Sequence, residues 1–290
     1  MRIARAVQDL PRAERAVAIG SFDGVHAGHR RVLRAVVDSG LTPTVITFTP
    51  HPRTALGHRV ELLTTLTRRL ELIAESGVPD ALVLEFTLEL AALEPEAFAA
   101  TVLRPMGARV VAAGKGFRFG RARRGDLGTL AGLGFDTRAV PIVKGVSSTQ
   151  IRNLVRAGEL ERAARLLGRP VEIEGTVVTG DARGGTLGFP TANIAVDPEL
   201  LVPAAGIYAG SAAEYRAAVS IGTNPHYGGE ELRIEAHLLG FDGDLYGQRL
   251  IVELWRRLRD ERAFATERDL VEQIARDVEQ ARASERPGWS

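Results

Sequence analysis

At 290 residues, 45% apolar and 25% charged, the chain has the balance of an ordinary globular protein and length enough for two domains. A formal net charge of +1 gives no whole-chain attraction to nucleic acid or a lipid surface, and the absence of cysteine excludes disulfides, thiolate nucleophiles and cysteine-ligated zinc. The charged start, MRIARAVQDLPRAERA, lacks the apolar core of a secretion signal, and no apolar run approaches the ~20 residues of a membrane helix. The expectation is a cytoplasmic enzyme or binding protein, with no nucleic-acid or membrane partner and with a homo-oligomer left open.

The first half alternates between two periodicities. RAVAIG reads as a short buried strand, HRRVLRAVVDSG as a helix closed by Gly40, TPTVITF as a second strand and TRRLELIAESG as a helix closed by Gly77. DALVLEF, the helix EPEAFAATVLRPMG, the strand ARVVAAG and the strand FDTRAVPIV continue the series. Such alternation implies a parallel sheet covered on both faces, a Rossmann-like α/β domain. Ligands of such sheets bind beyond the carboxyl ends of the strands, where Gly20 to His29 fall.

The pattern changes near LERAARLLGRPVEIEG, which places a boundary near residue 168 and domains at 1–168 and 169–290. From Val171 the runs are short and strand-like: VEIEGTVVTG, GIYAGSA, YRAAVSIG, LRIEAHLL and RLIVELWRRL. Gly, Pro and Asn separate them, as in a small antiparallel barrel. A long helix closes the chain, with Thr266 and Asp269 as a capping box and Leu270, Ile274 and Val278 as an apolar stripe.

Two constellations carry chemistry. In AIGSFDGVHAGHRRVL a strand runs through glycines 20, 24 and 28 into a helix that offers free N–H groups to an anion. His26 and His29 add donors around the first turn, and GVSSTQIRNLV supplies Ser147, Ser148, Thr149 and Arg152 at a second helix start. Together they suit a polyphosphate attacked at the α-phosphorus, where charge accumulates in the transition state. A structural glycine turn, a plain serine–threonine cap and zinc on the two histidines are the competing readings.

The second constellation is TGDARGGTLGFPTANI. Glycines 180, 184, 185 and 188 make a loop able to approach phosphates, Pro190 fixes the chain, and Thr191 and Asn193 alternate onto one face. A hydroxyl and an amide oxygen are hard ligands suited to Mg²⁺ on ATP phosphates, and a plain glycine-rich turn before an Asn-containing strand start is the competing reading. Downstream, Arg233, Glu235 and His237 form the polar face of a strand. Glu235 is either a solvated carboxylate or the base that a primary hydroxyl needs when it attacks a γ-phosphorus.

GSFDGVHAGH with VSSTQIR resembles the HxGH and SSTxIR motifs of the nucleotidyltransferase superfamily, and ITFTPHP and GFRFG are similar to the adenylyltransferase half of prokaryotic bifunctional riboflavin kinase/FAD synthetases. GFPTAN, SIGTNPHYGG, EAHLL with FDGDLYGQRL, and LRDERAF resemble the riboflavin kinase module, in that order. The resemblance covers nearly the whole chain. It implies an α/β nucleotidyltransferase domain followed by a six-stranded β-barrel kinase domain with a C-terminal helix. It implies His26 and His29 on the ATP phosphates, with Gly20, Phe22, Asp23, Gly24, Gly28, Ser147, Ser148, Thr149 and Arg152 in the same ATP site. His51, Phe117 and Arg118 would then meet FMN. In the kinase half it implies Gly180, Gly184, Gly188 and Pro190 around ATP, Thr191 and Asn193 on Mg²⁺, Glu235 as base, and Arg259, Glu261 and Phe264 beside the flavin.

The implied reactions are riboflavin plus ATP to FMN plus ADP, then FMN plus ATP to FAD plus pyrophosphate. The chain departs from the family pattern at Ser21, Thr49, Gly116, Ala182 and Gly185, none of which is assigned to chemistry. The rival expectations are a riboflavin kinase with an inactive interaction domain in front, and a non-catalytic flavin-nucleotide binding protein.

Overall fold

A computed structural model describes residues 1–180, 183–226 and 229–288. The chain divides into two units, Met1–Leu62 with Leu66–Ser148, and Leu63–Thr65 with Thr149–Ser290. Ala182, one of the departures noted above, lies outside the described residues.

The first unit runs β1 (Arg2–Ala4), β2 (Arg15–Ile19), α1 (Ala27–Val37), β3 (Thr42–Thr49), α2 (Pro52–Ala55), α3 (Leu66–Glu75), β4 (Asp80–Glu85), α4 (Leu88–Ala92), α5 (Pro95–Phe98, continued by a π turn over Ala99–Leu103), β5 (Ala108–Gly114), α6 (Leu127–Gly132) and β6 (Asp136–Val140). The strands form one sheet in the order β1-β4-β3-β2-β5-β6, and every neighbouring pair is parallel. Alternation along β2 divides its side chains between two cores. Val17 and Ile19 pack with Phe98, Leu103 and Leu130 on one face, while Ala16 and Ala18 pack with Leu33, Val36 and Ile73 on the other. Burial on both faces is why these strands read as unbroken apolar runs.

Strand β1 and the short helices α2, α4 and α6 are elements that the sequence reading missed, since three to six residues are too few to display a period. At the amino ends of the strands the fully buried Arg15 donates to Thr44 Oγ1 at 2.7 Å, Asp80 Oδ2 at 2.6 Å and the Pro11 carbonyl at 2.7 Å, tying β2, β3 and β4 together. From β2 the chain steps through β3 to β4 on one side and later returns to β5 on the other. The crevice beyond the carboxyl end of β2 is therefore the sheet's switch point, where a ligand meets no crossing helix.

The second unit contains α7 from Thr149 onward (Ser148–Arg156), α8 (Leu160–Leu167), β7 (Val171–Val178), α9 (Arg183–Thr186), β8 (Ala192–Val196), β9 (Gly206–Ala212), β10 (Tyr215–His226), β11 (Gly229–Leu238), β12 (Arg249–Arg259) and α10 (Glu267–Ala283). Its six strands close into an antiparallel barrel in the order β10-β11-β8-β7-β12-β9, with β9 pairing back onto β10. Closure gives every strand a neighbour on both sides. The change of pattern expected near residue 168 coincides with the entry into β7. The two helices before it belong to the barrel's core, because Ile151, Leu154, Val155, Leu160, Ala163 and Leu167 pack with Val171, Ile173 and Tyr208. The β9–β10 hairpin is tight, turning on Ala213 and Glu214 with φ of 46° and 70°. Positive φ at both central residues matches the right-handed twist of the flanking strands.

Helix α10 starts as its sequence predicts, with Thr266 Oγ1 accepting from the Asp269 N–H at 3.1 Å. Its buried side differs from the expected stripe: Gln273, Asp277, Val278 and Ala281 are buried, whereas Leu270 and Ile274 are only partly covered. The reason is an ion pair. Arg259 at the end of β12 donates to both Asp277 oxygens, at 3.0, 3.1 and 2.6 Å, and turns that polar face inward.

Candidate active sites

In the first unit the turn after β2 is strained and filled. Phe22, Gly24 and Val25 all have positive φ, at 51°, 79° and 38°, a conformation that a β-branched valine adopts only when its surroundings force it. The surroundings are explicit: Phe22, Asp23 and Val25 are buried, Thr47 Oγ1 on β3 donates to the Ser21 carbonyl at 3.1 Å, and Arg30 donates to the Val25 carbonyl at 3.2 Å.

The turn delivers His26 to the N-cap of α1, where its Nδ1 accepts from the His29 N–H at 3.2 Å. The two imidazoles stack with centroids 3.6 Å apart, and the edge of Phe22 meets the His29 ring at 5.3 Å. A side chain at Gly28 would stand 3.1–3.2 Å from the His26 ring, so the glycine makes room for the stack. Burial, then the charges of His26, Arg69 and Arg30, hold the His29 imidazole well below its ordinary pKa of 6.5. It is therefore neutral at pH 7, and its buried Nδ1 has no hydrogen-bond partner among the described residues.

Arg69 is a group that sequence reasoning missed. It is buried on α3, donates to the Phe48 carbonyl at 3.3 Å, and is drawn down by burial against the opposing pull of Asp23. Nothing local in TRRLELIAESG marks it, because its partners come from two other strand ends.

The remaining predicted residues of this half are placed as follows. Gly20 N–H pairs with the Ile46 carbonyl at 3.1 Å. Ser148 Oγ donates to the Asp23 carbonyl at 3.1 Å, which joins the serine-rich segment to the histidine turn, and Ser147 precedes it. Thr149 and the buried Arg152 belong to the second unit. His51 caps α2, accepting from the Arg53 N–H at 3.2 Å. Phe117 stacks on Phe119 at 5.6 Å, and Arg118 donates to Asp126 at 2.5 Å. Asp126 in turn caps α6 through the Thr129 N–H at 2.9 Å.

In the second unit the barrel register sets Asn193 of β8 opposite Glu235 of β11. Thr191 Oγ1 donates to Glu235 Oε2 at 3.4 Å. A side chain at Gly180 would lie 2.2–2.5 Å from the Asn193 amide, so the bare glycine backbone seats that amide. Hydroxyl, amide oxygen and carboxylate thus converge at the start of β8. Among the described residues no group of three or more His, Asp or Glu is placed to hold a metal. The set present, few and hard oxygens, fits a divalent cation that keeps phosphate oxygens and water as its other ligands.

Beside this set opens a cleft of about 240 Å³, lined by Pro190, Thr191 and Ala192 on one side and by Phe241 to Tyr246 on another. The FDGDLYG wall was visible in the sequence only as a motif, since only the tertiary fold sets it across from Pro190. Gly184 lies in the short helix α9 and Gly188 just after it, with φ of 85°, on the segment leading to the cleft. Of the three residues expected beside the flavin, Arg259 is engaged with Asp277, Glu261 lies over the backbone of Gly222, and Phe264 lies under the guanidinium groups of Arg259 and Arg262 at 5.8 and 4.9 Å.

Comparison with known proteins matches both halves. Residues 10–152 fit the family model for FAD synthetase and residues 167–285 that for riboflavin kinase. A bifunctional riboflavin kinase/FMN adenylyltransferase of Escherichia coli (strain K12) is 36% identical over 97% of this chain and 97% of its own. The chain belongs to the bifunctional riboflavin kinase/FMN adenylyltransferase family. The relative of that name in Listeria monocytogenes is 35% identical over 92% of this chain and 91% of its own. A crystal structure described as a macrolide-efflux protein from Streptococcus pneumoniae shares the fold, with a TM-score of 0.89 at 30% identity over 98% of this chain and 99% of that one. Among the described residues no helix is long and apolar enough to cross a membrane. Membership in the riboflavin kinase/FMN adenylyltransferase family accounts for the first half as an adenylyltransferase domain, which removes the ground for reading it as an inactive docking module.

Proposed function

We propose that this chain makes FAD from riboflavin in two ATP-consuming steps, and that the residues placed above divide the chemistry. The observation that carries the reading is the presence of two unlike constellations: a stacked imidazole pair at a helix start in one unit, and a lone carboxylate beside a hydroxyl and an amide in the other.

In the kinase step Glu235 takes the proton of the ribityl 5′-hydroxyl as that oxygen attacks the γ-phosphorus of ATP, and ADP leaves. Thr191 and Asn193 hold a divalent cation, for which Mg²⁺ is the proposed ion. When bound, the cation neutralises charge on the ATP phosphates. Gly180, Gly184, Gly188 and Pro190 let the main chain approach those phosphates, and the cleft against Phe241–Tyr246 receives the nucleotide.

In the adenylyl step the FMN phosphate is already ionised and needs no base. It attacks the α-phosphorus of a second ATP and expels pyrophosphate. His26 and His29, with the N–H groups that begin α1, hold the phosphate oxygens as charge builds on them. Ser148, whose hydroxyl meets the same turn, is assigned to the pyrophosphate side, and Phe117 to the flavin side. A cysteine-free chain that consumes ATP suits the cytoplasm.

The test is chromatography of the flavins formed from riboflavin, ATP and Mg²⁺. FMN followed by FAD is expected. Glu235→Gln is expected to lower FMN formation by about a hundredfold or more and leave supplied FMN convertible to FAD. His29→Gln is expected to do the opposite. A folded variant of either kind that loses both reactions together would overturn the two-site assignment.

A further inference from the structure

Backbone pairing between β8 and β11 stops at Ala192↔Ala236. Strand β11 continues to Leu238 past its last β8 partner, and the nucleotide cleft opens there, lined by Pro190, Thr191 and Ala192 together with Ala236 and Leu238. Pro190 carries no N–H, so its peptide nitrogen offers no donor to extend the ladder. Thr191, with its hydroxyl on Glu235, therefore stands just past the end of the ladder.

A side chain supplies the missing tie. His237 Nδ1 lies 2.7 Å from the Pro190 carbonyl, and its ring meets the edge of Phe189 at 5.6 Å with planes 81° apart. A carbonyl only accepts, so Nδ1 carries the proton and the tautomer is set. His237 shares the polar face of β11 with Glu235, two residues earlier. One face of one strand thus grips the turn at consecutive residues, Glu235 at Thr191 and His237 at Pro190.

We infer that His237 is a positioning residue for phosphoryl transfer, a strut that holds the Phe189–Thr191 turn at a fixed distance from β11 and so keeps the nucleotide cleft open and the Thr191 hydroxyl aimed. The inference rests on the kinase reading of this site. Its role differs from that of Glu235. The imidazole acts on the protein's own backbone and touches no reacting atom, so its loss loosens nucleotide and cation capture more than it slows the bound complex.

The experiment is steady-state phosphorylation of riboflavin by the full chain carrying His237→Phe, His237→Asn or His237→Gln, titrated separately with ATP and with Mg²⁺. Phenylalanine keeps the ring contact with Phe189 and removes the donor. Asparagine places an amide N–H near the position of Nδ1, and glutamine places it further out. For His237→Phe the half-saturating ATP and Mg²⁺ concentrations are expected to rise about tenfold, as the loss of one well-placed hydrogen bond implies, with kcat falling less than about threefold. His237→Asn is expected to stay within about twofold of wild type. Thermal melting of the full chain, followed through the barrel, is the check that each variant is folded, because FMN adenylylation is assigned to the other unit.

Wild-type ATP and Mg²⁺ dependence in His237→Phe would overturn the inference, as would a drop confined to kcat. If the phenylalanine variant does not fold, the two amides decide, and equal behaviour of asparagine and glutamine overturns it. Glu235→Gln keeps the underlying reading separate. Should that variant phosphorylate riboflavin at the wild-type rate, the kinase assignment falls and the strut with it. Should it be silent while His237→Phe behaves as wild type, only the strut falls.

Discussion

His26 and His29 lie face to face, their ring planes within 13° of parallel and their centroids 3.6 Å apart, joined by the bond from the His29 N–H to His26 Nδ1. One residue is at once a helix cap and, in the proposed adenylyl step, half of the pair that holds phosphate. The packing that builds the pair also strips water from His29 and crowds it with positive charge, which is why its imidazole stays neutral.

That neutrality links stability to pH. In the unfolded chain His29 takes up a proton as pH falls through its ordinary value of 6.5, and in the folded chain it does so only well below. Acid therefore favours unfolding, and the contribution is whole above pH 6.5 and lost as pH falls toward the folded value. The slope from this one group is at most about 1.4 kcal/mol per pH unit. Thermal melts between pH 7.5 and 5 are expected to show a steeper fall for wild type than for His29→Gln. Equal slopes would mean that His29 titrates alike in both states.

Capping and chemistry at His26 are separable. Asparagine at position 26 accepts from the His29 N–H as the imidazole does, so His26→Asn is expected to melt within about 0.5 kcal/mol of wild type. FAD formation from FMN is expected to fall about a hundredfold, because the phosphate donor is gone. His26→Ala loses both and is expected to cost about 1 kcal/mol as well. Melting curves with FMN turnover check the three proteins together.

Gly180→Ala tests the seat of Asn193. The added methyl would stand 2.2–2.5 Å from the amide and must displace it. Kinase turnover at low ATP is expected to drop roughly tenfold, the equivalent of about 1.4 kcal/mol, while FMN adenylylation stays at the wild-type level. An unchanged ATP dependence would show that Asn193 works from another position.

Arg259 joins a buried carboxylate to the barrel. With a side chain only 4% exposed, Asp277 depends on that guanidinium. Arg259→Met is expected to destabilise the chain by about 3 kcal/mol and to raise hydrogen exchange along α10. Arg259→Lys keeps the charge, loses the fork, and is expected to fall between the two. A stable Arg259→Met protein with weakened flavin binding would instead place the residue on the ligand side.

Much of this protein was legible from one dimension. The strand–turn–helix around His26 and His29 and the Gly-rich loop before Thr191 are local, and local segments carry their own turn chemistry and periodicity. Glu235 and His237 stood together on a polar strand face, yet nothing local distinguished a solvated face from one that grips a turn 44 to 47 residues away. Arg69 gave no signal at all, since its meaning comes from Asp23 and the Phe48 carbonyl.

Sequence alone determined the longer strands and helices and where the two glycine turns fall, because backbone preference and burial pattern act over a few residues. Only the tertiary structure decided that β2 lies at the switch point, that Asn193 faces Glu235, and that Arg259 turns a polar face of α10 inward. Those outcomes depend on strand order and register, which bring distant charges and amides together at distances that no local pattern encodes.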